Sequence, residues 1–597
     1  MIKNLKINEE KLRKIYLCKI AKGEIFGPMS DKLSESMPWL KFYNEEQIMG
    51  EMPENKIYDY MMKKNKEHLD DVALYYFGKE FTYRKFDELI DQCSKSMLAN
   101  GIGENDIVTI CMPNTPEAVI AFYAINKIGA VANMIHPLSG QEQIKNYLNE
   151  VDSKLIITMD MAYSKVLNIV EETKVEKIVT VTASDSMPFM MKKIFRFTPN
   201  YVKMNDNDKM VRWNTFIDEG KSYNGELKQS EYQKDKLSVI LHTGGTTGIS
   251  KGVMLTDDNF NSMVEQFFKD NNNFERNDKM LTIMPVFHGF GLCSSVHLPL
   301  STGVSIVLIP KLDAKRFDKT LNKYHPNHII GVPTLFKSML TNERLKNIDL
   351  SYLKYVVSGG DLVKNSLESD INKFLSKHGS NAKLSKGYGL SEVVAGATFA
   401  ANDYNNPTSI GIPMVDTNMK IVKPGTNEEI SIGEIGEICV QGPTVMKGYY
   451  ENEKETNDSL KDGWLHTGDL GYYKDDAFYF AQRKGNMIIS SGVNVYPSNI
   501  EQVIESHEAV AACAVIGIQH PYKMQAPKAY IILKEGYEQT NELQQEIEDL
   551  CRTNLDVYSI PYKYEFREKL PQTLLGKISH KELMTEEELK VKTLVKK

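Results

Sequence analysis

LHTGGTTGISKGVML, Leu241 to Leu255, is the stretch around which the rest of the chain can be read. A short apolar run leads into a loop of Gly, Thr and one Lys. The loop is expected to pass into a polar segment that reads as a helix. Backbone N–H groups, hydroxyls and an ammonium arranged in this way suit a polyphosphate. Thr243, Thr246, Thr247 and Lys251 are the candidate contacts, and Gly244, Gly245 and Gly248 permit close backbone approach. A Walker A loop needs Lys directly after its second Gly, whereas Ile249 and Ser250 separate Gly248 from Lys251 here. The loop is therefore not a standard ATPase cradle. Nucleotide chemistry still heads the readings, against the alternative of a Gly-rich surface loop.

Outward from this loop, apolar strands alternate with amphipathic helices. FTYRKFDELIDQCSKSMLANGI, from Phe81, reads as a helix closed by Gly101. IVTICM reads as a buried strand, AVIAFYAINKIGA as a helix closed by Gly129, and VANMI, KLIIT and KIVTV as further strands. This alternation implies parallel sheets covered by helices. Residues 1–50 are charged and irregular, with one or two short surface helices expected. Residues 184–233 read as an insertion covering part of the core. Its run MPFMMKKIFRF is alternatively a basic-apolar patch touching a membrane or partner. SIGEIGEICVQG suggests a small β-rich unit, and the residues after Gln482 a small α+β domain. The fold class is thus α/β multidomain: a large N-terminal domain with layered, mostly parallel sheets and a small β-rich subdomain, then a small α+β C-terminal domain.

A chain of 597 residues suits two or more domains. Its formal net charge of -7 argues against a nucleic-acid binder, which needs concentrated basic charge. Seven scattered cysteines without a CxxC pair imply free, packed thiols in a reducing cytoplasm. The N-terminus lacks a long apolar stretch and does not read as a secretory signal. From Met280 to Pro310 there is no Asp, Glu, Lys or Arg. The prolines, glycines and histidines within that run favour strand, buried helix and strand over a membrane span.

Three more motifs carry chemistry. In GYGLSEV (Gly387–Val393), Tyr388 offers a face for a base, Ser391 a hydroxyl and Glu392 a hard ligand for magnesium. Alone, the heptad is equally a packed turn. In GWLHTGDLGYY, Asp469 is expected in a turn, where it either accepts hydrogen bonds from a ribose or caps the turn itself. In PQTLLGKISHKEL, Lys577 can neutralise charge developing on a transferring carboxylate and phosphate, although a lone Gly-Lys turn is usually bland.

Taken in order, LHTGGTTGISKGV, MPVFHGFG, GYGLSE, GWLHTGDLG, RKGNMIISSGVNVYP and PQTLLGKIS resemble the adenylate-forming acyl-CoA synthetase family over roughly residues 55 to 585. The resemblance implies an N-terminal extension (1–50), a large AMP- and acyl-binding domain (51–481), a hinge (482–486) and a mobile small domain (487–597). It implies ATP, Mg2+ and CoA as cofactor and co-substrates, and a carboxylic acid activated through acyl-adenylate. Thr243 through Lys251 would hold the β- and γ-phosphates. Tyr388 would stack on adenine, with Gly389 beside it, and Ser391 would contact phosphate. Glu392 would bind magnesium, and Asp469 and Arg483 the ribose. Gly359, Gly360 and Asp361 would border adenine and acyl group, His288 would gate the acyl pocket, and Ser491 and Gly492 would line the thiol channel. Thr247, His288, Glu392 and Lys577 form the implied catalytic set.

Several positions depart from the family pattern. Gly244 and Ser250 replace a usual Ser and Pro, and Ser391 a commoner Thr. Arg483–Lys484–Gly485–Asn486 replaces Arg–x–Lys–Asp at the hinge, Ser491 a commoner Gly, and His580 a frequent Arg. Phe287, Phe290, Leu292 and Cys293 make an apolar acyl pocket the expectation, hence a fatty or aryl acid. CoA is the expected acceptor, with an acyl carrier protein as the alternative. A carboxylate–amine ligase and a non-catalytic nucleotide-binding protein remain outside readings, and peripheral membrane contact remains open.

Overall fold

The computed structural model describes residues 9–22, 32–199, 201–204, 207–243, 251–270, 274–400, 406–490, 493–520, 523–572 and 578–595. Two sheets carry the large domain. The eight-stranded sheet runs in the order Met210–Arg212, Lys177–Val181, Leu155–Met159, Ile107–Cys111, Val131–Met134, Leu237–His242, Gly252–Thr256 and Gly448–Tyr449. Its strands pair in parallel as far as Leu237–His242 and antiparallel beyond it. The nine-stranded sheet is parallel from Leu384–Tyr388 through Tyr355–Ser358, His328–Gly331, Lys279–Thr282 and Ser305–Leu308 to Val72–Tyr76. Its outer strands are antiparallel. Strands such as Ile107–Cys111 and Ser305–Leu308 are buried at every position, because helices cover both faces. The helix Tyr83–Ala99 is capped by the Thr82 hydroxyl, which accepts from the Lys85 N–H, and Gly101 follows it at φ +75°.

The β-rich unit is an antiparallel sheet of Asn418–Val422, Gly436–Gln441, Trp464–Lys474 and Leu460–Lys461, with Ala477–Arg483 on Trp464–Lys474. The C-terminal α+β domain is a second five-stranded sheet, on which the helices Pro497–Glu505 and Asn541–Asn554 share one apolar core. The architecture matches the expected class.

Three local readings change. The nucleotide loop does not pass directly into a helix: the strand Gly252–Thr256 intervenes and pairs back on Leu237–His242, and the helix Asp257–Asp270 follows. The apolar VMLT is drawn into the sheet edge, where backbone groups left open by Leu237–His242 need partners. Residues 184–233 divide. The helix Trp213–Ser222 packs on Tyr83–Ala99 and buries Trp213 and Phe216, whereas the helix Phe189–Phe195 has no buried residue.

The N-terminal residues, expected as surface helices, join the main core. The helix Glu9–Ala21 and three short segments bury Leu17, Cys18, Leu33 and Trp39. Trp39 packs edge-on against Tyr473 and tilted against Phe478, with centroids 6.2 and 5.7 Å away. Lys14 meets Asp416 at 3.3 Å, and the Tyr43 hydroxyl donates to the Pro413 carbonyl at 2.7 Å. These apolar residues are too sparse among charges to show a period.

The charge-free run around 280–310 is two buried strands joined by helical turns from Gly289 to Ser301, and among the described residues no helix is long and apolar enough to cross a membrane. His297 within it lies 3.1 Å from the Tyr123 hydroxyl and 2.9 Å from Asn261 Oδ1. Burial pushes its pKa down to about 3, so the ring is neutral. All seven cysteines are free and buried.

Trp39→Ala is expected to cost about 3–5 kcal/mol, as for a fully buried aromatic. A fall of several degrees in the thermal midpoint is the expected outcome. A surface helix would instead give a change within about 0.5 kcal/mol.

Candidate active site

The parallel strands deliver Thr243, Gly359–Gly360–Asp361 and Tyr388–Glu392 to their C-terminal ends, while Asp469 and Arg483 come from the antiparallel β-rich sheet. At the base of the nucleotide loop, His242 faces Gly252, and the Thr243 N–H donates to the Lys251 carbonyl at 3.1 Å. Gly244, Gly245, Thr246, Thr247, Gly248 and Ser250 lie outside the described residues. His242 Nε2 is 2.7 Å from Asn133 Oδ1 and its ring 4.2 Å from that of Tyr147. Burial lowers its pKa to about 4, so it braces the loop without charge. Lys251 pairs with Glu455 and lies 4.8 Å from the Tyr449 ring centroid. The Tyr449 hydroxyl donates to Glu392 Oε1 at 2.9 Å. Tyr449 thus joins Lys251 to Glu392. It is placed by strand pairing, with Tyr449 opposite Val253. Sequence reading passed over it; GYY at 448–450 was the available signal, an aromatic pair after a Gly.

The GYGLSEV motif leaves the strand Leu384–Tyr388 through a tight loop. A Cβ on Gly389 would lie 1.6 Å from the Ala395 carbonyl oxygen, so only Gly fits. Val394 has φ +65° and ψ −61°, and the Ala395 N–H donates to the Val393 carbonyl at 2.7 Å. This is a γ-turn of the positive-φ form, which a β-branched residue adopts at a cost of order 1–3 kcal/mol. It follows Ser391, which is buried, and Glu392, whose carbonyl accepts from the Met446 N–H at 2.8 Å.

His288 caps the next helical turn, its Nδ1 accepting from the Phe290 N–H at 3.3 Å. Gly289 packs on the same strained loop; a Cβ there would meet the Val394 carbonyl oxygen at 1.8 Å. Phe290 lies against Gly359, and Gly360 has φ +79°. Asp361 is exposed, its Oδ1 accepting from the Leu362 N–H. The segments holding His288, Gly359–Gly360–Asp361 and Gly389–Glu392 therefore converge. Phe287, 4.3 Å from the His136 ring, and Phe290 sit at the margin of the core, while Leu292 and Cys293 are fully inside it. Burial raises the Cys293 thiol pKa well above its ordinary value, which does not suit a nucleophile.

Asp469 is not in a turn. It lies within the strand Trp464–Lys474, opposite Arg483. Gly468 at φ +69° and a register shift at Leu470/Gly471 give the strand the irregularity that resembles a turn in sequence. The carboxylate is buried. Its Oδ1 is 2.9 Å from Arg483 Nε, and its Oδ2 accepts from the Tyr388 hydroxyl at 2.7 Å. Burial lowers the Arg483 pKa, but Asp469, Tyr388, Glu392 and Asp361 outweigh it and hold it above its ordinary value. Burial, with the Asp469 charge, pushes the Tyr388 phenol well up.

Beside this group, buried Glu437 accepts from Lys484 Nζ at 2.9 Å and the Gly468 N–H at 3.2 Å, with His466 Nδ1 at 3.4 Å. Burial raises its pKa, yet His466 and Lys484 bring it down to about 2. Sequence reading missed this carboxylate too. Across the domains, Lys364 pairs with Glu505; within the C-terminal domain, His580 lies 2.9 Å from Glu501. Ser491, Gly492 and Lys577 lie outside the described residues.

Among the described residues no cluster of three or more His, Cys, Asp or Glu could hold a metal. The single carboxylate of Glu392 fits magnesium nonetheless, since that ion is commonly held by one or two carboxylates and substrate phosphates. Tyr388, Asp469 and Arg483 offer a ring, an acceptor and a cation suited to a nucleoside.

Residues 62–450 match the AMP-binding enzyme family, and residues 499–577 the AMP-binding enzyme C-terminal domain. A long-chain-fatty-acid–CoA ligase of Bacillus subtilis strain 168 is 32% identical over 568 residues, spanning 93% of this chain and 99% of its own. One from Haemophilus influenzae is 30% identical over 569 residues, spanning 92% and 98%. The crystal structure of an anthranilate CoA ligase in complex with anthranoyl-AMP has the same fold, with a TM-score of 0.77 at 22% identity over 90% of this chain and 99% of its own.

Glu437→Gln removes the charge that Lys484 and His466 face and is expected to cost about 2 kcal/mol at neutral pH. Because the folded pKa is depressed, this stabilisation is complete above the ordinary value of 4.5 and is lost as pH falls toward about 2. Thermal midpoints of the variant and its parent should differ most above pH 4.5 and converge below it.

Proposed function

Because the chain belongs to the AMP-binding enzyme family of adenylate-forming ligases, we propose that its own reaction is ATP-dependent activation of a fatty acid to acyl-CoA, with release of AMP and pyrophosphate. The observation that carries the reading is the meeting of Tyr388, Asp469 and Arg483, drawn from separate motifs, in one group joined by a hydrogen bond and an ion pair. The two fatty-acid ligases that align along nearly the whole chain support the choice of acid, as do Phe287 and Phe290 at the margin of the core.

In this reading the purine stacks on Tyr388 beside Gly389. Asp469 accepts hydrogen bonds from the ribose hydroxyls while Arg483 balances its charge. Thr243, the loop with Gly244, Gly245, Thr246, Thr247 and Gly248, and Lys251 hold the β- and γ-phosphates, and Ser391 contacts phosphate. Glu392 holds magnesium, oriented by Tyr449; when bound, the ion supplies charge neutralisation at the phosphates. A carboxylate is a poor electrophile with a poor leaving group, and adenylation corrects the second defect. Lys577 holds the acid and the α-phosphate together during that step. Gly359, Gly360, Asp361 and His288 border the acyl group. Ser491 and Gly492 line the path of the thiol, whose attack needs placement more than a covalent residue.

Acid-dependent pyrophosphate release, run with fatty, aryl and amino acids with and without CoA, tests the reading. A fatty acyl-CoA product is expected. An aryl-CoA product would replace the acid. Acyl-AMP persisting despite CoA would indicate a carrier-protein or amine acceptor.

Lys577→Ala should lower adenylation by about 10²–10³-fold, as when a group stabilising transition-state charge is lost. Thioester formation from supplied acyl-adenylate should be largely retained. Equal loss in both half-reactions would remove Lys577 from its role.

A further inference from the structure

The residues that follow the strand Lys177–Val181 expose apolar surface that nothing among the described residues covers. The helix Phe189–Phe195 is tied down on one side only. Phe195 packs against the main core, Met187 is buried before it, and Lys192 pairs with Asp185 at 3.5 Å. The other side carries Phe189 at 69% exposure, Met190 at 66% and Ile194 at 62%, and Phe197 follows at 91%. Positions four apart on a helix share a face, so Phe189 and Lys193 stand in one row and Met190 and Ile194 in the next. Lys193 Nζ lies 4.4 Å from the Phe189 ring centroid. Contiguous exposed apolar residues of this size mark a contact surface rather than scattered surface hydrophobics.

Charge selects the occupant. Between Ser186 and Met204 the chain has Lys192, Lys193, Arg196 and Lys203 and no Asp or Glu, in a protein whose formal net charge is -7. Two copies of such a patch would repel across a two-fold axis, which disfavours self-association. A cationic rim around Phe, Met and Ile is the composition of a segment lying in the interface of an anionic bilayer. Its position fits. The strands Val131–Met134, Leu155–Met159, Lys177–Val181 and Leu237–His242 run parallel, so the segments that follow them leave from one edge of the sheet. Exposed Leu138 and Met161 follow two of these strands, and the nucleotide loop follows another.

We propose that Phe189, Met190, Ile194 and Phe197, with Lys193 and Arg196, form a peripheral docking surface for anionic lipid bilayers. It holds the edge of the sheet that carries the nucleotide loop toward the membrane. The surface binds without a spanning segment: the rings enter the boundary between headgroups and acyl chains, and the cations meet lipid phosphates. The proposal concerns location and does not depend on which acid the site activates.

The test is co-sedimentation of the full chain with vesicles of phosphatidylcholine alone and of phosphatidylcholine mixed with phosphatidylglycerol. The full chain should bind the mixed vesicles and bind the neutral ones far more weakly. A variant combining Phe189→Ser, Ile194→Ser and Phe197→Ser, and a second combining Lys193→Glu and Arg196→Glu, should each lower binding to mixed vesicles by roughly tenfold or more. Both should keep the parent's thermal midpoint and its pyrophosphate release with a short soluble acid, which separates this surface from the ligase reading. Phe197→Trp adds a direct readout, a blue shift of emission on mixed vesicles. Absence of binding to mixed vesicles, equal binding to neutral ones, or unaltered binding by both combined variants would overturn the proposal. So would conversion of a dimer to a monomer by the serine variant in sedimentation velocity.

Discussion

A buried carboxylate must find a cation or donors, and Asp469 finds them in two different parts of the chain. Arg483 reaches it from the neighbouring strand, just before the change to the C-terminal domain, and Tyr388 reaches it from the end of the nine-stranded sheet. Breaking such a group leaves an uncompensated charge in the interior, worth about 3–5 kcal/mol. The relative placement of the β-rich sheet, the nine-stranded sheet and the chain entering the C-terminal domain is therefore held at one point. That point is also where the candidate nucleoside contacts lie. Asp469 already has hydrogen-bonding partners, so a ribose would share this carboxylate with Arg483 and compete with the Tyr388 hydroxyl.

Strain is concentrated a few residues away. Val394 holds a backbone conformation that β-branched residues avoid, and Gly389 and Gly289 are pressed against its loop from two sides. A relaxed loop would move Glu392, which is otherwise pinned by the Met446 N–H and the Tyr449 hydroxyl. The packing thus over-determines Glu392, the carboxylate proposed to hold magnesium. Strain that persists under such over-determination clusters at functional sites.

The strands were legible because a sheet covered on both faces demands unbroken apolar runs, as in Ile107–Cys111 and Ser305–Leu308. Helices such as Tyr83–Ala99 announced themselves by period and closing Gly. What stayed hidden depends on pairing between distant segments. Tyr449 becomes a partner of Glu392 only through a two-residue strand on the sheet edge. Glu437 looks like any surface glutamate in SIGEIGEICVQG until the sheet buries it beside Lys484. Asp469 reads as a turn because glycines flank it, yet those glycines serve an irregular strand. The N-terminal residues bury apolar side chains singly, and single burials leave no period to read.

The hinge departures acquire a physical meaning from these contacts. Lys484 is held by Glu437, so it belongs mechanically to the β-rich sheet. Gly485 and Asn486 follow in a short 3-10 turn, and a Cβ on Gly485 would meet nothing within 4 Å. A pivot of the C-terminal domain at Gly485–Asn486 would leave the Asp469–Arg483 and Glu437–Lys484 pairs intact. It would break Lys364–Glu505, a pair with an exposed lysine, of a kind worth about 0.2–1 kcal/mol. His580 and Glu501 both lie in the C-terminal domain, so their contact would travel with it. The charged groups proposed to meet the nucleoside are thus separated in sequence from those that a rotation would disturb. With Asn486 and Gly485 where the family pattern has an aspartate and a lysine, a pivot placed there would carry no charge of its own, and the electrostatic hold would rest on the residues on either side.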